Sequence, residues 1–204
     1  GGDADYKGYP IYDDATVEGF METALKEGRQ ILAHCNGDAA AQQYLDQYAR
    51  AKAAVPGAPD IRPVMAHAQF LDRDQLPMLK KLGMIPSFFV AHVYHWGDIH
   101  IQNVGLARAA RISCTASALA EGIKFTFHQD SPVIQPNMLE TIWCAVNRMT
   151  KAGVPLGTQE RIPTLEALKA VTVNAAYQYF EENEKGTLKP GKRADLVILS
   201  DNPL

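Results

Sequence analysis

The sequence predicts an α/β fold with a parallel sheet, and three observations carry the prediction. Short apolar runs alternate with helix-forming stretches along most of the 204 residues. Those runs are near-continuously apolar instead of alternating, as in strands that helices cover on both faces. Four such strand–helix units, of roughly 30–40 residues each, match the repeat of a (βα)8 barrel and supply half of one; an open sheet has the same local pattern.

Residues 1–12 lack periodicity and read as an irregular lead-in. Asp13 or Asp14 caps a helix carrying Val17, Phe20, Met21, Ala24 and Leu25, which stops at Gly28. Ile31 to Ala33 form a buried strand ending at His34. Asn36-Gly37 turns the chain, and Asp38 is placed as the N-cap of a helix over 39–54 that presents Tyr44, Leu45 and Tyr48. Pro56-Gly57-Ala58-Pro59 breaks it. Ile61 to Ala66 make the second strand, followed by a cap at Asp72 or Asp74, a helix through Leu76, Leu79 and Leu82, and a stop at Gly83. Pro77 falls in the first turn, where a missing N–H costs little.

Met84 to Val90 form the third strand and open into an irregular loop from Ala91 to Asp98. Helices over 103–111 and 115–121 lead to the fourth strand, Ile123–Phe127. Met138 to Met149 form a helix with Leu139, Ile142, Trp143, Val146 and Met149 on one face. Thr164 caps another through Leu165, Leu168, Val171, Ala175 and Tyr179. Beyond a basic, turn-rich stretch at Lys185–Arg193, Ala194 to Ser200 read as one more strand. Residues 1–180 thus make the main α/β unit, and 181–204 a separate contribution.

A hydrophobic share of 47%, a charged share of 21% and a net charge of −3 describe a globular chain without the basic excess that nucleic-acid binding requires. No window approaches the ~18 consecutive apolar residues of a membrane span. Cys35, Cys114 and Cys144 are an odd, widely spaced set. They form no disulfide framework and read as small buried hydrophobes, which favours a reducing, cytoplasmic setting; a signal peptide on a longer precursor would make it periplasmic.

Three of the strand-like runs deliver metal-capable side chains at their C-terminal ends: His34, His67 and Asp130. Ligands gather at that end of a parallel sheet because the loops converge there. Two neutral imidazoles and a carboxylate suit a borderline divalent ion such as Zn²⁺, with an open position for a water whose pKa falls to about 7. Asp130 is the candidate catalytic residue, taking the proton of that water and returning it to a leaving nitrogen. Taken singly, each has an ordinary alternative: a strand-end histidine packs, and an aspartate before Ser-Pro caps a helix. His92, His95 and His100, beside Tyr94, Trp96 and Asp98 in the loop after the third strand, form a second cluster suited either to substrate contact or to loop packing. His128 alternates with Asp130, so both can face one side, as a substrate contact or as a partner of a metal-binding group. Asp38 is a cap residue that could also orient His34.

The runs His34-Cys-Asn-Gly-Asp38, His67-Ala-Gln69, His128-Gln-Asp130-Ser-Pro-Val133 and Glu184 to Leu199 resemble the C-terminal half of the amidohydrolase superfamily, closest to amidohydrolase family 3. That family comprises metal-dependent TIM-barrel hydrolases and includes N-substituted formamide deformylases. The resemblance implies barrel strands five to eight, with His34 and His67 as metal ligands on strands five and six and Asp130 as the strand-eight aspartate. It also makes the last run a C-terminal strand of a small β-sandwich. The family's first-strand His-x-His is absent from these residues, and Ala66 stands where many relatives carry an acidic residue.

The resemblance therefore implies a fragment of a hydrolase that opens a C–N bond, an amide or formamide of a small molecule, and that is inactive alone. It would pair with an N-terminal half or self-associate through its open edges. The competing expectation is a non-catalytic half-barrel acting as an interaction or regulatory module. An open sheet binding a phosphorylated ligand is disfavoured, since no Gly-rich loop follows any strand.

Overall fold

A computed structural model describes residues 6–204; the start of the irregular lead-in, residues 1–5, lies outside them. Four strands, β1 (Leu32–Cys35), β2 (Val64–His67), β3 (Ile85–Phe88) and β4 (Thr126–Phe127), form one parallel sheet in sequence order. Leu32 registers with Val64, Val64 with Ile85, and Ser87 with Thr126. The α/β class and parallel pairing expected from the apolar runs are what the chain adopts. Pro86 sits inside β3 without breaking it.

The helices follow local signals closely. α1 (Asp14–Glu27) begins at Asp13, whose carboxylate accepts the Thr16 N–H at 2.8 Å, and ends at Gly28 with φ 63°. α2 (Asp38–Ala54) starts one residue earlier than expected: Gly37 is the cap, and Asp38 is the first helical residue. A 3₁₀ turn at Arg73–Gln75 carries a capping box from Asp72 and leads into α3 (Leu76–Leu82), which Gly83 closes at φ 69°.

The region expected as a loop and one helix is instead three short helices, α4 (His92–His95), α5 (Gly97–Val104) and α6 (Leu106–Ala109). Gly105, at φ 78° and ψ 158°, cannot continue a helix and separates the last two. α7 (Thr115–Ala120) and α8 (Met138–Asn147) follow, the latter capped by Asn137. α8 buries Thr141, Ile142, Cys144 and Ala145 and leaves Leu139 and Trp143 partly exposed, so its inward face is rotated from the expected stripe. The last predicted helix is divided at Thr172 into α9 (Thr164–Val171) and α10 (Val173–Gln178), with Pro163 preceding Thr164 in the flanking position.

The principal core runs from α1 and α2 through Met65, Phe88, Phe89 and Phe125 to α8 and α9. A smaller cluster of Val93, Ala109, Ile112 and Leu156 supports the short helices. The strand expected over Ala194–Ser200 does not form: no element pairs with it, and Val197 and Ile198 are 82% and 89% exposed. A strand needs a neighbour for its backbone groups, and none stands beside this segment among the described residues.

Candidate active site

The C-terminal ends of the sheet bring three histidines into one hydrogen-bonded row. His34 lies in β1, His67 ends β2, and His128 follows β4. Register pairs His67 with Cys35. An unbroken pleat would therefore set its side chain on the face of Cys35 and away from His34. Instead His67 and Ala68 adopt φ 71° and 47°, which takes the backbone out of the β region where the strand ends. His67 Nε2 then stands 2.9 Å from His34 Nδ1, and His67 Nδ1 stands 3.0 Å from His128 Nε2. Two successive non-glycine residues at positive φ cost on the order of 1–3 kcal/mol each, a strain that concentrates at functional sites. Asp130, at φ 49°, is a third such residue on the same rim.

Both ends of the row are tied down. Asn36 Nδ2 lies 3.1 Å from His34 Nε2, and Ser87 Oγ lies 3.0 Å from His128 Nδ1. Burial is the main force on the charge state. It lowers the pKa of His67, helped by His34, and that of His128 to about 4, helped by His67; the Asp130 carboxylate opposes both shifts. Both rings are neutral near pH 7, the form in which imidazole has a lone pair to give.

An aromatic wall continues from this row. The Phe89 ring centroid is 5.3 Å from His128 and 4.5 Å from His92, and His92 lies against Trp96 at 4.7 Å. His92 stacks on His100, and burial, with His100 next, drives its pKa to about 3. Farther along the wall, His95 Nε2 meets Glu140 Oε1 at 2.6 Å, with both side chains about a third exposed.

His34, His67 and His128 are thus in direct contact, and His92, His95 and Trp96 line a continuous flank beside them. Asp130 is exposed, and among the described residues no hydrogen bond joins its carboxylate to the histidines. Asp38 binds the Arg108 guanidinium at 2.9 Å, and Asn36 takes the place beside His34. Among the described residues no three His, Cys, Asp or Glu side chains are arranged to hold a metal ion together. The donors nevertheless fit a borderline divalent ion: two ring nitrogens on adjacent strands face each other at 2.9 Å, one belonging to a ring that burial keeps neutral, with a carboxylate close enough to act on it. Asn36, Ser87, Phe89 and Glu140 carry no distinctive sequence signal. The single clue to Ser87 is its place in a strand next to the one that leads to His128.

The model of the amidohydrolase family matches residues 3–204. The chain belongs to the amidohydrolase family. Similar proteins include the Arabidopsis thaliana protein LONG AFTER FAR-RED 3, 33% identical over 200 residues, which are 96% of this chain and 34% of that protein. The N-substituted formamide deformylase of Arthrobacter pascens is 26% identical over 198 residues, 97% of this chain and 36% of the enzyme. Among solved structures, a metal-dependent hydrolase from Pyrococcus furiosus superposes with a TM-score of 0.79 at 26% identity, covering 97% of this chain and 39% of that one. This amidohydrolase chain therefore spans about a third of the length of the curated relatives it matches.

Proposed function

We propose that this chain carries part of the active site of a metal-dependent hydrolase that opens the C–N bond of a small amide or formamide. The observation that supports it most is the approach of His34 Nδ1 to His67 Nε2 at the C-terminal ends of adjacent parallel strands. These two nitrogens would hold a divalent metal such as Zn²⁺, with Asp130 as the third donor. Bound there, the metal would supply a Lewis acid and a water acidic enough to attack at neutral pH. Asp130 takes the proton released as the new C–O bond forms and returns it to the nitrogen as the C–N bond breaks. Its charge acts on both His67 and His128, which supports a position on the same rim. Trp96 and His92 offer the substrate an aromatic flank and His95 offers it a hydrogen bond, while His128, whose two ring nitrogens are engaged by His67 and Ser87, acts on the site through His67. The A. pascens relative, named for deformylating N-substituted formamides, makes that substrate class the first to assay.

We place residues 1–180 in a partial (βα)8 barrel as its strands five to eight, and 181–204 in a β-sandwich strand. The TM-score of 0.79 over two-fifths of a larger hydrolase supports this reading. Among the described residues β1 and β4 each have one neighbour, which supports pairing with further strands, from the rest of a longer protein or from a second copy. Metal content after incubation with Zn²⁺ and gel filtration tests the site. The wild type is expected to retain metal and His67→Ala to lose it; equal, negligible retention in both would remove metal ligation from the proposal.

A further inference from the structure

The row His34–His67–His128–Ser87 has a direction once His67 is a ligand. To take a metal, His34 Nδ1 and His67 Nε2 must both present lone pairs, which places their ring protons on His34 Nε2, beside the side-chain amide of Asn36, and on His67 Nδ1. His67 Nδ1–H then donates to His128 Nε2 at 3.0 Å. A neutral imidazole has one donor and one acceptor, so His128 Nδ1–H donates to Ser87 Oγ at 3.0 Å. Ser87 is the closing acceptor, and it is buried within β3.

We propose that Ser87 is a positioning residue for the active site. By accepting from His128 Nδ1, it turns His128 Nε2 toward His67 Nδ1–H and so keeps His67 Nε2 aimed at the His34 nitrogen, where the metal would bind. The proposal rests on His67 being a ligand. Partners that orient a ligating histidine ordinarily change metal affinity by 10–100-fold when removed, and Ser87 acts one bond farther away, so a loss of about tenfold is expected.

Two measurements on the intact protein that carries this chain test it. Ring ¹⁵N shifts of the metal-free wild type report tautomers directly, and His67 and His128 are expected as Nδ1–H. In Ser87→Ala, His128 is expected to move to a mixture. Zn²⁺ affinity by competition with a chelator is expected to fall about tenfold in Ser87→Ala, with urea unfolding showing the variant folded. An Nε2–H form of His128 in the wild type would overturn the proposal, as would equal Zn²⁺ affinity of a wild type and variant that both bind. A wild type that binds no Zn²⁺ would overturn the reading of His67 as a ligand, and the tautomers would still decide whether Ser87 orders the row.

Discussion

At the scale of single residues, the chain's most consequential charges outside the rim are ones that local sequence hides. Glu160 is fully buried, and its carboxylate accepts from Arg73 Nε and Nη2 at 2.9 and 2.6 Å and from the N–H and hydroxyl of Ser117. Arg148, also fully buried, donates to the carbonyl oxygens of Leu156, Ser113 and Ile112, and burial pushes its pKa down to about 10 while Glu160 holds it up. These partners stand up to 87 residues away in sequence, so nothing near Glu160 or Arg148 marks them as interior. Glu160→Gln replaces an acceptor with an amide whose NH₂ meets the donors of Arg73 or Ser117. Losing one member of a buried charged network costs about 3 kcal/mol, which equilibrium urea unfolding would register as a lower midpoint at unchanged slope. His34 and His67 were legible because three strand ends repeated one pattern. His128 was legible only as a side chain facing Asp130, since its contact with His67 depends on a backbone turn at His67 and Ala68 that no residue type announces.

At the scale of elements, the starts and stops governed by short-range chemistry could be read, and those governed by distant packing could not. Asp13, Gly28, Asp72 and Gly83 act where their types predict because a cap needs only neighbours within one turn. The inward face of α8 is set by what α9 and Gln129 after β4 offer, and its real stripe includes Thr141 and Cys144 in place of Trp143. Long-range ties also hold the base of the sheet. Arg62, just before β2, makes a two-bond pair with Glu182 at 2.7 and 3.0 Å, donates to the Tyr177 carbonyl, and lies over the Tyr177 and Phe180 rings. Its guanidinium, through hydrogen bonds first, lowers the Glu182 pKa from 4.5 to about 2. A carboxyl group depressed on folding stabilises above its unfolded pKa, and that contribution is lost as pH falls through the folded value. The attachment of residues 177–182 to β2 is therefore expected to weaken from about pH 4.5 down to about pH 2. Amide exchange of this segment across that range is the measurement, and Glu182→Gln is expected to flatten the dependence without touching the histidine row.

At the scale of the whole molecule, the surfaces that look unfinished coincide with the part of the prediction that did not form. Among the described residues β1 and β4 have free edges, and Leu196, Val197 and Ile198 stand exposed in a segment with the composition of a strand and no pairing neighbour. β-propensity at that segment was legible; pairing was not, because it depends on a neighbouring strand that no local residue pattern specifies. Exposed apolar runs and open edges favour association. Sedimentation of this chain by itself is expected to show concentration-dependent self-association, and the double change Val197→Lys, Ile198→Lys is expected to weaken it. Burying one such side chain contributes roughly 1.5–3 kcal/mol, so the midpoint should rise at least about tenfold in concentration. If the variant associates as the wild type does, the contact lies along β1 or β4 and not in the tail. If both remain monomeric at high concentration, the open edges are protected as they stand, and the pairing proposed for the barrel loses its support.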